Sequence, residues 1–96
     1  MTTPAPAGAP TFDADQAWTL HPQVALRDEE FGALAYHYGN RRLVFLKSRP
    51  LVDLVRSLEH HESATAAIAA VVDEPERLTY ERALARLATS EVINAR

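Results

Sequence analysis

The sequence predicts one small α+β domain, three strands followed by three helices. Two changes in its pattern carry this. Apolar residues alternate with period two between His21 and Lys47, and from Ser48 onward they recur at a spacing near 3.6. The 96 residues leave room for a single hydrophobic core, so any function must share that one unit.

Residues 1–11 contain only Met, Thr, Pro, Ala and Gly, with Pro4, Pro6 and Pro10 interrupting any regular hydrogen bonding. They read as a disordered tail ahead of a domain spanning 12–96. Order is expected to begin near Phe12 or Trp18, the first large apolar groups whose burial offsets chain entropy.

The strand region holds three runs: Val24 and Leu26 alternating with polar neighbours, Ala33 to Tyr38, and Leu43 to Leu46. Gly39-Asn40 lies between the second and third, and both residues tolerate positive φ, which predicts a two-residue hairpin turn. That turn pairs Tyr38 with Arg41, Tyr36 with Leu43, and Leu34 with Phe45 on one face. The other face receives His37 with Arg42, Ala35 with Val44, and Ala33 with Leu46. The first face is larger and more apolar, so the helices are expected to cover it. The second is expected to stay open, with His37 on its surface. The third strand is the last before the helices and is therefore expected at an edge.

Ser48 has the chemistry of an N-cap, with Pro50 in the first turn and Leu51, Leu54, Val55 and Leu58 forming one helical stripe. Ala64, Ala67, Ile68 and Val71 form a second stripe of mostly small groups, ended by Asp73-Glu74-Pro75. Tyr80, Ala83, Leu84, Leu87 and Ala88 form a third, and Val92 and Ile93 extend its apolar character beyond the helix end.

The chain carries 10 basic and 13 acidic residues for a net charge of -3, the opposite of a protein that coats nucleic acid. It has no cysteine, which excludes thiolate metal sites, disulfides and cysteine nucleophiles. No apolar run reaches membrane-spanning length, and the N-terminus lacks the basic start and apolar run of a signal peptide. A cytoplasmic protein without membrane or nucleic-acid partners is the expectation. The adjacent His60 and His61 do not share a helix face and suit a solvated helix end better than a metal. Ser48 has a capping role and no base at a useful spacing. With no glycine-rich phosphate loop either, the chain reads as a non-enzyme.

Charge placement points to a binding surface. Residues 31–60 carry five basic and two acidic groups, against an acidic balance on either side. Arg41, Arg42 and Lys47 flank the third strand, where they either discourage edge-to-edge pairing or attract an acidic extended peptide that completes the sheet. Arg82 and Arg86 share one face of the third helix, and with the strand charges they frame a groove between that strand and that helix.

The ordered series from His21-Pro22-Gln23-Val24-Ala25-Leu26-Arg27, through Phe31-Gly32-Ala33-Leu34-Ala35-Tyr36-His37-Tyr38, to Arg42-Leu43-Val44-Phe45-Leu46-Lys47-Ser48 resembles the mycofactocin-system peptide chaperones. Tyr80-Glu81-Arg82-Ala83-Leu84 and the apolar close at Ile93 fit the same family, so the resemblance covers roughly residues 12–96. These chaperones are similar to PqqD-like domains, or RiPP recognition elements, and the resemblance implies a winged-helix-like arrangement of a three-stranded antiparallel sheet followed by three helices. It also implies a function: binding the leader region of a ribosomally made precursor peptide and presenting it to a radical S-adenosylmethionine (SAM) maturase. That enzyme decarboxylates the precursor's C-terminal tyrosine oxidatively and cross-links it to the neighbouring valine. The iron–sulfur clusters and S-adenosylmethionine belong to that partner, so no cofactor is expected here. Carried over by position, the leader would lie against Arg42, Leu43, Val44, Phe45, Leu46 and Lys47 on the strand. On the helix it would meet Tyr80, Arg82, Ala83, Arg86 and Leu87.

The alternative is a winged-helix DNA-binding module reading a groove with the third helix. Between Glu74 and Glu91 that segment has four acidic residues against three arginines, the wrong balance for a surface facing phosphates.

Overall fold

The computed structural model describes residues 12–96; the expectation of a disordered tail over 1–11 lies outside them. The elements run β1 (Trp18–Leu20), β2 (Val24–Glu29), β3 (Gly32–His37), β4 (Leu43–Leu46), α1 (Arg49–Ser57), α2 (Ala64–Val71), α3 (Arg77–Thr89) and β5 (Ile93–Ala95). The α+β class, the three-stranded antiparallel sheet in the order β2-β3-β4 and the three helices agree with the sequence reading. β4 is an edge strand, and the β3–β4 register is the expected one: Ala33 opposite Leu46, Leu34 opposite Phe45, Ala35 opposite Val44, Tyr36 opposite Leu43.

The turn that sets this register is not the expected one. The loop has four residues, Tyr38 to Arg41, closed by the amide of His37 donating to the Arg42 carbonyl at 2.9 Å. The left-handed residue is Arg41, with φ 61, rather than Gly39 or Asn40. The imidazole of His37 explains the choice, because its Nδ1 accepts the amides of both Gly39 (3.0 Å) and Asn40 (3.1 Å). Asn40 Oδ1 accepts from the Arg42 amide and completes the loop. Two-residue and four-residue loops close on residues of the same pairing sum, so the register survives.

The covered face is also the reverse of the expected one. Ala33, Ala35, His37 and Leu46 are buried, whereas Tyr36, Leu43 and Phe45 are exposed. Small side chains on the inner face let α1 lie directly on β3 and β4, with Val52, Leu54 and Val55 filling the space between. His37, expected on the surface, is 5% exposed and stacks against His21 at 4.4 Å. Gly32 is required where β3 begins. Its φ is +149, and a Cβ there would lie 2.0 Å from the Leu46 carbonyl oxygen.

β1 and β5 form a second, two-stranded antiparallel sheet that the sequence reading did not contain, pairing Trp18 with Ala95 and Leu20 with Ile93. Of the apolar pair beyond the helix end, Ile93 opens β5 and Val92 lies just before it, and both are buried. The segment before β1 is tied down as well. Trp18 Nε1 donates to the Asp13 carbonyl, and the Gln16 and Ala14 carbonyls accept the amides of Ala64 and Thr65 at the start of α2.

The first helix begins where its expected cap places it, and Ser63 caps the second in the same way. Ser48 Oγ accepts the Leu51 amide, and Ser63 Oγ accepts the Ala66 amide. In α2 the buried residues are Ala64, Ala67 and Ile68, and the last apolar contact falls to Val72, since Val71 faces outward. In α3, Leu84, Leu87 and Ala88 enter the core while Tyr80 and Ala83 stay half-buried at its margin.

Candidate functional site

Among the described residues, strand β4 is paired on one side only. Because the His37 amide bonds across to Arg42, the alternation of an antiparallel ladder assigns the amides of Val44 and Leu46 to β3 and turns those of Leu43 and Phe45 away from it. The sheet therefore ends in two outward N–H groups with the carbonyls beside them, a short template for another extended chain.

Across from the end of this edge stands α3. Lys47, Ser48 and Leu51 on one side and Glu76, Thr79, Tyr80 and Ala83 on the other enclose a groove of about 410 Å³. Its walls are largely apolar, and its two charges, Lys47 and Glu76, come from opposite sides. α1 is held in place behind it by Asp28 on β2, whose carboxylate accepts from Arg49 at 3.2 Å and Arg56 at 3.1 Å. The hydrogen bond from Arg49, aided by the Arg56 charge, holds the Asp28 carboxyl below the usual aspartate range.

The sequence-predicted residues fall into four groups. Lys47, Tyr80 and Ala83 meet in the groove. Arg42, Leu43, Val44 and Phe45 lie along the edge strand, Leu43 and Phe45 with exposed side chains and Val44 half-buried. Leu46 and Leu87 are buried, so they carry the core and present no side chain to a ligand. Arg82 and Arg86 are exposed on α3, Arg86 at the margin of the Thr79–Ala83 row and Arg82 further round the helix. Neither lines the groove itself. Sequence reasoning missed Ser48, assigned only a capping role, and Leu51, Thr79 and Glu76. Leu51 had been absorbed by the core stripe of α1, although the i, i+3, i+4, i+7 spacing of Glu76, Thr79, Tyr80 and Ala83 was there to be read.

The family model described as peptide chaperone MftB matches residues 17–94. The chain belongs to the peptide chaperone MftB family. Among its relatives, the peptide chaperone MftB of Mycobacterium ulcerans (strain Agy99) is 49% identical over 98 aligned positions, covering 97% of this chain and 90% of that protein. The peptide chaperone MftB of Mycolicibacterium smegmatis (strain ATCC 700084 / mc(2)155) is 48% identical over 84 positions, 86% and 82% of the two chains. That of Mycobacterium tuberculosis (strain ATCC 25618 / H37Rv) is 43% identical over 99 positions, 97% and 91%. No solved structure matches the chain.

The MftB-family match spans both halves of the groove, from β4 through α3. Among the described residues, no three His, Asp or Glu side chains gather as they would around a metal, and no helix is long and apolar enough to cross a membrane. His60, beside Glu59 at 3.8 Å, lies exposed beyond α1.

Proposed function

We propose that this MftB-family chain binds the leader region of a ribosomally made precursor peptide as an added strand on β4 and delivers it to a radical SAM maturase, performing no chemistry itself. The observation that carries the reading is the pair of outward amides at Leu43 and Phe45 on an edge strand that leads into an apolar groove walled by α3. Backbone pairing would supply most of the affinity. Alternate side chains of the added strand would turn toward Leu51, Tyr80 and Ala83, and those between them toward Phe45. Arg42 and Lys47 bracket the strand, and Arg82 and Arg86 add exposed positive charge on α3, so an acidic leader is favoured. The S-adenosylmethionine and iron–sulfur chemistry resides in the maturase, in the cytoplasm, and the recognition domain is of the winged-helix-like, PqqD-like kind.

Incubating the purified chain with precursor should leave the peptide mass unchanged, whereas adding the maturase with its cofactors should give the decarboxylated product. Turnover by this chain alone, or failure to bind the leader peptide in a direct titration, contradicts the reading.

A further inference from the structure

Among the described residues, nothing covers the outer face of the sheet, which is apolar. Leu34, Tyr36, Leu43 and Phe45 lie side by side on it, with Phe31 and Tyr38 at its margins. Leu43 and Phe45 are each 56% exposed, Tyr38 61% and Phe31 45%. A contiguous patch of this kind on a small soluble domain marks a contact surface. Its rings pair with one another: Phe31 meets Phe45 edge to face at 5.9 Å, and Tyr36 meets Tyr38 at 5.2 Å. Between Phe31 and Phe45, beside Lys47, lies an apolar hollow of about 340 Å³.

Charge narrows the kind of partner. Glu29 on this face is matched by Arg27 at 2.6 Å. Lys47, at one end of β4, and Arg41 and Arg42, at the other, make no ion pair among the described residues. The face is thus apolar at its centre with Lys47 at one end and Arg41 at the other, Arg42 falling in register with His37 on the opposite face and Glu30 standing next to Phe31. A second copy applied to it would bring like charges together. An added strand would lie beside β4 and leave Tyr36 and Phe31 uncovered.

We propose that this face docks the enzyme that receives the bound peptide, and that the enzyme presents an apolar side chain flanked by carboxylates, the former entering the Phe31–Phe45 hollow and the latter meeting Lys47 and Arg41. The inference rests on the delivery reading given above. It adds the surface on which the handover is made and the chemistry of its counterpart.

The test is the double variant Phe31→Ser with Tyr36→Ser, since neither residue supplies an outward amide of β4 or lines the groove. Its affinity should be measured for leader peptide and for the purified radical SAM maturase in separate titrations. Leader affinity should stay within about twofold of wild type, while maturase affinity falls by about tenfold or more. The wild-type maturase complex should also weaken as salt is raised. Should that variant unfold, Phe31→Ser with Tyr38→Ser makes the same test. A wild-type complex that the variants leave intact overturns this inference and spares the delivery reading. Wild-type protein that binds leader but no maturase overturns the delivery reading itself. A parallel tenfold loss of leader affinity assigns the face to the peptide site, and a wild-type dimer that the variants dissociate assigns it to a second copy; either outcome overturns the proposal.

Discussion

Nδ1 of His37 accepts the amide N–H of Asn40 at 3.1 Å, and through this bond a buried side chain shapes the turn that carries the chain into β4. The same nitrogen accepts from Gly39, so one ring satisfies two loop amides while packing at a tilt against His21. His37→Ala removes both acceptors at once. Stability should fall by about 1–3 kcal/mol, read from urea unfolding, and exchange of the Gly39 and Asn40 amides should accelerate. An unchanged midpoint would mean that the loop is held by its backbone alone.

Proline substitutions separate the two sides of β4. The Phe45 amide points away from β3, so Phe45→Pro removes an edge donor and should leave a folded protein that has lost leader binding. The Val44 amide belongs to the ladder. Val44→Pro orphans the Ala35 carbonyl and should cost about 1–3 kcal/mol of stability. Circular dichroism and a leader titration on both variants check the contrast. Equal binding by Phe45→Pro and wild type would place the peptide elsewhere.

Arg82 and Arg86 stand beside the groove rather than in it, so their effect should be long-range and screened. The double variant Arg82→Ala with Arg86→Ala should weaken leader binding by about 0.5–2 kcal/mol at low salt, with the difference shrinking at high salt. Titrations at two ionic strengths decide it, and a salt-independent loss would indicate direct contact.

Asp28 gives the fold a pH dependence. Its carboxyl titrates below the ordinary aspartate range because Arg49 hydrogen-bonds it and Arg56 lies beside it, so the folded state favours the ionised form. The resulting stabilisation is present above the unfolded aspartate value near pH 4 and is lost as pH falls through the depressed folded value. Asp28→Asn should accordingly be less stable than wild type at neutral pH, and the gap should narrow below about pH 4. Urea midpoints across that range test the sign.

Local signals made part of this structure legible in advance. Ser48 followed by Pro50 and the Leu51 stripe specify α1, and alternation over Ala33–Leu46 specifies the β3–β4 register, because each depends on neighbours within a few residues. What alternation cannot say is which face the helices cover. Tyr36, Leu43 and Phe45 form the more apolar face, yet the alanines opposite them admit α1 at close range, and that is a property of volume across the whole core. The β1–β5 pairing joins three-residue strands from opposite ends of the domain and has no local signature. In the candidate site, Lys47, Tyr80 and Ala83 could be named from charge and spacing. Leu51 could not, since a residue on the edge of a core stripe shows its second role only when the opposite wall is in place.

The most direct test of strand addition is amide hydrogen exchange on the wild-type chain with and without leader peptide, resolved by residue along β4. Pairing on the open edge should slow Leu43 and Phe45 strongly and leave Val44 and Leu46, already bonded to β3, with little further change; α3 around Tyr80 and Ala83 should also be protected. Protection confined to α1 and α2, with Leu43 and Phe45 exchanging as freely as before, would contradict the account.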